Sequence, residues 1–260
     1  MTADAVCAIV PAAGRGNRLG LDKPKLLVSI VGDRTVWCIL KEKLLPLVDH
    51  IHVVLSPQGS ALLKSVLQDD PDRRRISVSV QQEPRGMGDA VFCGHAAWAA
   101  MGTLVVVWGD QLSVSADTLS RALNLFRISQ GLRCVVPVVE MENPYVQYCF
   151  EGDHLREIRE SREGARCDPR GFSDVGIFVL PTKGIREAWG DFLCEAKAGG
   201  RTGESNFLPF LAFLARRGWL IQRLVVADPL EARGINTPED LDFFRRLYRE
   251  RDPHFRNPPA

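Results

Sequence analysis

The first half of the chain alternates short, continuously apolar runs with helical patterns, and this alternation limits the fold more than any other feature. Apolar runs at residues 6–13, 51–55 and 103–108 have the length and branched side chains of strands. Helical patterns lie between them, for example at residues 61–68 and 89–101. Strands without a polar face are typical of parallel sheets covered by helices on both sides. We therefore predict an α/β fold with a Rossmann-like, mostly parallel sheet flanked by helices.

The second half of the chain has a less regular pattern. Residues 145–150 and 154–159 suggest two antiparallel strands around a Glu-Gly-Asp turn. Residues 162–172 are rich in Gly, Arg and Asp and indicate a loop. We thus expect a small antiparallel β portion in addition to the parallel sheet. The predicted organisation is one domain over residues 1–250, followed by a tail at residues 251–260.

The overall composition excludes some classes of function. The net charge is only +1, whereas a dedicated nucleic-acid binder normally carries a basic surplus. No apolar run approaches the length of a membrane span. The seven cysteines include no C-x-x-C pair, which favours reduced thiols and a cytoplasmic protein. We expect neither a nucleic-acid nor a membrane partner, and these features leave the oligomeric state open.

The strongest local signal is a Gly-rich segment directly after the first apolar run. It has the sequence G-R-G-N-R at residues 14–18, followed by P-K at residues 24–25. Glycines let backbone N–H groups turn toward an anion, and Arg18 and Lys25 add two cations of the kind a triphosphate needs. Leu19 stands where a dinucleotide fingerprint requires Gly, and the Gly-Lys-Ser/Thr of a Walker loop is absent. Taken alone, the segment could also be a surface turn with solvated basic residues.

Three later segments carry polar groups to positions where ligands commonly bind. Residues 81–90 combine a strand end, a Gly-x-Gly turn and a helix start, which is an anion-binding geometry. Asp110 follows the buried strand at 103–108, so its carboxylate is expected in the crevice beyond the strand ends. Asn236 lies in a Gly-Ile-Asn-Thr segment that leads into a helix. Each segment alone has a structural alternative, namely a β–α connection, a turn or a helix cap.

Taken in order, these segments resemble the signature blocks of the nucleotidyltransferase superfamily that includes the sugar-1-phosphate pyrophosphorylases. The blocks are G-x-G-x-R with P-K, Q-x-x-x-x-G-M-G-x-A at 81–90, W-G-D at 108–110 and G-I-N-T at 234–237. They are most similar to the uridylyltransferase domain of N-acetylglucosamine-1-phosphate enzymes, over roughly residues 8–241. The resemblance implies a GT-A-like nucleotidyltransferase fold, with the antiparallel portion on the substrate side.

The resemblance also assigns roles to residues of this chain. Arg18 and Lys25 would neutralise the triphosphate, and Asp110 and Asn236 would hold Mg²⁺ as the cofactor. The nucleotide would contact Ala12, Ala13, Gly14, Gly16, Gln81, Gly86 and Met87. The acceptor would contact Trp108, Val146, Glu160 and Asp174. Three positions depart from the family pattern, because Met87, Val146 and Asp174 replace its Thr, Gly and Asn.

The implied reaction transfers a nucleoside monophosphate from an NTP, with UTP favoured, to a sugar 1-phosphate and releases pyrophosphate. The partners would be an NTP and a phosphorylated small molecule. One alternative is a cytidylyltransferase acting on an amino-alcohol phosphate or phosphonate, since Asp174 adds an anion that could face a cationic acceptor. Another alternative is a non-catalytic nucleotide-sensing module. A nicotinamide-dependent dehydrogenase does not fit the glycine spacing.

Overall fold

The computed structural model of the protein describes residues 4–14, 20, 23–128, 133–195, 201 and 203–251. Within these ranges the strands are β1 (Val6–Pro11), β2 (Ser29–Val31), β3 (Arg34–Thr35), β4 (His50–Leu55), β5 (Ile76–Val80), β6 (Thr103–Val107), β7 (Arg133–Glu142), β8 (Val146–Glu151), β9 (His154–Glu160), β10 (Arg170–Asp174), β11 (Ile177–Pro181) and β12 (Leu220–Val225). The helices are α1 (Val36–Leu44), α2 (Pro57–Val66), α3 (Met87–Cys93), α4 (His95–Trp98), α5 (Ala116–Arg127), α6 (Ile185–Glu195), α7 (Leu208–Arg216) and α8 (Pro238–Arg251). None of these described helices is both long and apolar enough to cross a membrane.

One large sheet of ten strands organises the molecule. Its order is β5-β4-β1-β6-β11-β7-β10-β8-β9, and β12 pairs with β7 away from this path. Strands β5, β4, β1 and β6 run parallel to one another, as do β7 and β12. Strands β11, β10 and β9 run antiparallel to their neighbours. The predicted α/β fold with a mostly parallel sheet is confirmed, and its antiparallel portion continues the same sheet.

The apolar runs are continuous because the central strands are covered on both faces. No residue from Val6 to Val10 is more than 1% exposed. Ala8 and Val10 pack into one apolar cluster, whereas Cys7 and Ile9 pack into a second cluster on the opposite face. Successive side chains of a strand point to opposite faces, so both sets must be apolar. Each Val or Ile buried in this way contributes about 1.5–3 kcal/mol.

Two sequence-based predictions about elements were wrong. The predicted helix at 89–101 is divided at Gly94, where an added Cβ would come within 2.7 Å of the His52 and Ile9 side chains. The chain therefore approaches the sheet too closely there for a side chain. The predicted loop at 162–172 contains the start of β10, which pairs with β7 and β8. Available partner strands outweigh a loop-like composition, since strand preference depends strongly on context.

Candidate active site

The candidate site lies beyond the carboxyl ends of the parallel strands β1 and β6. The Ala12 N–H donates to the Val54 carbonyl (2.8 Å). The chain therefore still runs beside β4 just after β1 ends. An added Cβ at Gly109 would lie only 3.0 Å from the Ala12 Cβ. The glycine thus lets the segments that follow β1 and β6 come together. Their meeting point is the kind of crevice in which open α/β sheets bind ligands.

One lysine joins three distant parts of the chain at this crevice. The Lys25 Nζ donates to the Ile235 carbonyl (2.7 Å) and also reaches Asp110 Oδ2 (3.3 Å) and Asn236 Oδ1 (3.5 Å). The Lys25 and Asp110 side chains are 23% and 24% exposed, so the ion pair remains open to solvent and ligands. Three of the four residues that the resemblance assigned to the triphosphate and the metal, Lys25, Asp110 and Asn236, therefore lie around one point.

The segment that carries Asn236 is held by a helix cap. The Ile235 N–H donates to the Asp110 carbonyl (3.0 Å), which ties the segment to the end of β6. Asp240 Oδ2 accepts from the N–H groups of Asn236 and Thr237 (3.0 Å each), and Thr237 Oγ1 accepts from the Asp240 N–H. This reciprocal arrangement is a capping box at the start of α8. The helix start therefore has the structural role that the sequence predicted. The same segment also carries Asn236 to the neighbourhood of Asp110.

The oxygen atoms around the Lys25 Nζ form a donor set that suits Mg²⁺. They are a carboxylate, an amide and a main-chain carbonyl, and they already surround a positive charge. Mg²⁺ prefers oxygen ligands and commonly binds through one or two protein groups, waters and substrate phosphates. Among the residues described, no three His, Cys, Asp or Glu side chains converge as a protein-only metal site. Asp110 and Asn236 thus offer two oxygen donors of the kind that Mg²⁺ binds.

The predicted nucleotide segment at Gln81 and Gly86 has a well-defined local structure. Gln81 is 6% exposed, and its Nε2 donates to the Gly86 carbonyl (3.1 Å) and to Asp89 Oδ2 (2.7 Å). Gly86 has a φ of 110°, a conformation that side chains other than glycine rarely adopt. Met87, which begins α3, is 39% exposed. The amide of Gln81 is thus used to shape its own loop.

Ser205 supports this segment from a distant part of the chain and was missed by the sequence analysis. Its N–H donates to the Arg85 carbonyl (2.7 Å), and its carbonyl accepts from the Gly88 N–H (3.0 Å). An added Cβ at Gly86 would lie 2.7 Å from the Ser205 carbonyl oxygen. These contacts use only the main chain of Ser205. No side-chain motif could therefore have revealed them.

The Gly-rich segment after β1 is only partly described. Ala12 is half-buried, Ala13 is buried and Gly14 is exposed. Gly16 and Arg18 lie outside the described residues. Their assigned roles, phosphate binding and charge neutralisation, stay predictions from the sequence.

The predicted acceptor residues lie on the antiparallel side of the site. Trp108 is buried against the Phe178 ring, with centroids 4.9 Å apart. The main-chain N–H of Trp108 donates to the Gly176 carbonyl (2.9 Å), and the Gly176 N–H donates to Asp174 Oδ1 (2.8 Å). The turn at Gly176 therefore connects Asp174 with the end of β6. Val146 lies opposite Glu160 in the pairing of β8 with β9.

Burial and neighbouring charge perturb both carboxyls on the acceptor side. Burial raises the pKa of Asp174 to about 6, although hydrogen bonds from the Gly176 N–H and the Tyr148 hydroxyl oppose the increase, and the nearby Asp110 charge adds to it. Burial also raises the pKa of Glu160 to about 7, and the charges of Glu163 and Asp174 add to the effect while Arg162 opposes it. Carboxyl groups perturbed by burial within a crevice are common at functional sites. Four of the predicted residues thus form two electrostatically distinct groups, Lys25 with Asp110 and Asp174 with Glu160.

Comparison with known proteins gives consistent relatives. The family model of the MobA-like NTP transferase domain matches residues 8–171. The bifunctional protein GlmU of Aquifex aeolicus is 24% identical over 246 residues, covering 90% of this chain and 51% of the relative. GlmU of Syntrophotalea carbinolica is 27% identical over 262 residues, covering 96% and 53%. The chain spans about half the length of these curated relatives.

A solved structure also shares the fold. It is a 2.76 Å crystal structure from Bacillus anthracis, assigned to a glucose-1-phosphate thymidylyltransferase and containing a sucrose. The TM-score is 0.74 at 17% identity, and the alignment covers 94% of this chain and 95% of the other. The expected relationship to the nucleotidyltransferase superfamily is confirmed by the match over more than half of the chain. The chain belongs to the MobA-like NTP transferase domain family.

Proposed function

We propose that the protein is a Mg²⁺-dependent nucleotidyltransferase that moves a nucleoside monophosphate from an NTP to a sugar 1-phosphate and releases pyrophosphate. The observation that carries the proposal is the contact of the Lys25 Nζ with Asp110 and Asn236 beyond the ends of β1 and β6. UTP is the favoured donor because the motifs are most similar to those of uridylyltransferase domains. The name of the structural neighbour from Bacillus anthracis supports a sugar 1-phosphate as the acceptor.

The reaction is an in-line displacement at the α-phosphorus of the NTP. A phosphate oxygen of the acceptor forms the new P–O bond, and the bond from the α-phosphorus to the oxygen that bridges to the β-phosphate breaks. The electron pair of that bond leaves with pyrophosphate. The attacking phosphate is already an anion, so no general base is needed. Positioning and charge stabilisation supply most of the rate in such reactions.

The chain contributes charge and geometry to this step. Lys25 and Arg18 neutralise the triphosphate and the departing pyrophosphate, while the glycines of residues 14–16 and 86–88 let the main chain approach the nucleotide. Asp110 and Asn236 would hold Mg²⁺. When bound, Mg²⁺ supplies further neutralisation of the phosphate oxygens. The substrates and the absence of C-x-x-C pairs favour a cytoplasmic location.

The test is pyrophosphate release from each of the four NTPs, with Mg²⁺, against a panel of sugar 1-phosphates and amine-bearing phosphates and phosphonates. We expect release with UTP and at least one sugar 1-phosphate. Release only with CTP and an amino-alcohol phosphate or phosphonate would replace the proposal with the cytidylyltransferase alternative. Silence across the panel with intact NTP binding by calorimetry would favour the sensing module. Silence without any NTP binding would refute every nucleotide-based role.

A further inference from the structure

The segment that carries Asp110 has no regular secondary structure of its own. Strand β6 ends at Val107 and α5 begins at Ala116, and the residues between them form neither a helix nor a strand. A buried segment of this kind keeps a fixed position only if other groups bond to its main-chain polar atoms. The position of Asp110 therefore depends on the groups that bond to the residues after it.

A lysine of α1 bonds to two of these residues. Val36 and Leu40 of α1 are buried, and Lys43 follows them on the same face of the helix, at the position where an apolar residue is usual. The half-buried Lys43 side chain donates from Nζ to the carbonyls of Leu112 and of Val114, the latter at 2.9 Å. One ammonium group thus provides the donors that a helix or strand would otherwise supply to this segment.

Lys43 occupies this position at an electrostatic cost. Burial lowers the pKa of Lys43 to about 8; the charges of Glu231 and Glu42 oppose the decrease, while that of Arg251 adds to it. An apolar side chain on this face of α1 would avoid the desolvation of a cation. The packing of the helix therefore does not explain a lysine here, whereas the bonds to the two carbonyls do.

The same segment is bonded on its other side to the chain that leads to Asn236. Ser113 Oγ donates to the Arg233 carbonyl (2.8 Å), three residues before Asn236. The two candidate Mg²⁺ ligands are therefore connected through the segment that Lys43 holds. A change in the main chain at residues 112–114 would alter the position of both ligands.

A second side chain bonds to one of the same carbonyls. The Tyr248 hydroxyl of α8 donates to the Leu112 carbonyl (3.1 Å), which also accepts from Lys43. A carbonyl oxygen has two lone pairs and can accept both bonds. Leu112 is 1% exposed, so water has little access to replace either donor. The effects of removing the two donors should therefore be coupled rather than additive.

We propose that Lys43 is a positioning residue of the phosphate-transfer site, which fixes the main chain after Asp110 and thereby the geometry at which Asp110 and Asn236 would hold Mg²⁺. The inference rests on the proposed nucleotidyltransferase function and goes beyond it, because Lys43 acts through Asp110 and not on a substrate. Its hydrogen bonds lie two and four residues beyond Asp110. A displacement of about 1 Å at a reacting group can lower a rate about a hundredfold, so a small shift of this segment is sufficient.

The experiment compares Lys43→Met with Lys41→Met. Lys41 lies on the same helix, and its Nζ donates to Asp70 (2.8 Å) and Asp72 (3.2 Å), which do not belong to the Asp110 segment. Each substitution removes a hydrogen-bonded positive charge from α1. Lys41→Met is therefore the matched control for a general loss of stability.

We expect Lys43→Met to lower kcat about 10- to 100-fold and to raise the Mg²⁺ concentration at half-maximal rate about tenfold. Calorimetry should show weaker binding of Mg²⁺ in the presence of UTP. Hydrogen exchange of the main-chain N–H groups at residues 111–115 and 235 should become faster, a measurement that needs no turnover. Lys41→Met should lower the melting temperature and keep the wild-type values of kcat, Mg²⁺ binding and exchange in these residues.

A double variant tests the shared carbonyl. Tyr248→Phe should lower kcat about two- to fivefold, the range for loss of one neutral hydrogen bond, and should have less effect in the Lys43→Met background. Fully additive effects on kcat would mean that the two side chains do not act through the Leu112 carbonyl, and would overturn the inference. If Lys43→Met does not fold, Lys43→Gln, which keeps N–H donors on a shorter side chain, replaces it in each comparison.

The possible outcomes separate this inference from the proposed function. Pyrophosphate release by the wild type, with unchanged kcat, Mg²⁺ dependence and exchange in Lys43→Met, would overturn the inference and leave the proposed function intact. Equal changes in Lys41→Met would also overturn it, because the loss would then come from a destabilised α1. Faster exchange and weaker Mg²⁺ binding in Lys43→Met alone, without release by the wild type under any NTP, would support the positioning role and refute the catalytic proposal.

Discussion

The predicted nucleotide side and the predicted acceptor side of the candidate site differ in how their charges are compensated. On the nucleotide side, Lys25 pairs with Asp110, and both side chains stay about a quarter exposed. On the acceptor side, Asp174 and Glu160 lie near each other without a salt bridge in the described parts of the chain, and burial raises the pKa of each carboxyl. The first arrangement is compensated before any substrate arrives. The second carries an electrostatic cost that the right ligand would relieve, so we expect acceptor selectivity to depend on it.

Removing the Asp110 carboxylate should give the largest effect on the nucleotide side. We expect Asp110→Ala to lower kcat by about a thousandfold or more, since metal-linked charge stabilisation contributes several kcal/mol. Circular dichroism and thermal unfolding should remain close to wild type, because Asp110 is a partly exposed residue beyond the end of β6. Asp153→Ala at an exposed turn is the control. Retention of a tenth of the wild-type kcat would contradict the assigned role.

Removing the positive charge of Lys25 should have the next largest effect. Lys25→Met should lower kcat/KM for the NTP by about a hundredfold, the usual range for loss of one group that stabilises developing charge. Lys64→Met at an exposed position of α2 is the matched control and should change little. Steady-state kinetics with varied NTP decides the matter. An unchanged kcat/KM would mean that Lys25 only holds the segment at Ile235 in place.

The contact between Gly88 and the Ser205 segment can be tested by adding one methyl group. A Cβ at Gly88 would overlap the Trp189 ring and lie 2.8 Å from the Ser205 carbonyl oxygen. Gly88→Ala should therefore destabilise the fold by about 1–3 kcal/mol, the usual cost of overpacking. Gly190→Ala in α6 is the control, because no atom lies within 4 Å of its added Cβ. That substitution should stabilise by up to about 1 kcal/mol. Equal melting temperatures for both variants would argue against the tight contact at Gly88.

The smallest expected effect is the contribution of the Asp174 carboxyl to the pH dependence of the free energy of unfolding. The raised pKa of Asp174, about 6, means that the folded protein holds this proton more tightly than the unfolded chain does. Stability from this group is present at low pH and is lost as pH rises through the folded pKa. The loss is about 1 kcal/mol between pH 5 and 7.5.

Asp174→Asn should remove that part of the slope and leave the part due to Glu160, whose pKa is about 7. Urea denaturation of wild type and variant at the two pH values measures the difference. A variant whose stability changes with pH as steeply as that of the wild type would show that the Asp174 carboxyl is not perturbed. In that event the contrast between the two sides of the site would rest on geometry alone.

The sequence by itself determined the central strands and the main candidates on the nucleotide side. The apolar pattern and the composition of the sequence were sufficient to predict β1 and β6, because strands buried on both faces must be apolar at every position. Their order along the chain then predicted where Asp110 would lie, since the residue after a buried parallel strand is carried to the ligand crevice. Lys25 and Asn236 came from motifs. These features are local, and a reader of the sequence can recognise each within a few residues.

Only the tertiary structure decided the features that depend on pairs of distant segments. Strand β10 forms from a loop-like sequence because β7 and β8 offer it hydrogen-bonding partners. The Ser205 main chain is hydrogen-bonded to Gly88, although more than a hundred residues separate the two in the sequence. Asp174 and Glu160 share a face because of the register in which their strands pair. The amino-acid composition of the strands does not reveal that register. Local pattern reports the environment of one residue, whereas register and close approach are set by the packing of the whole chain.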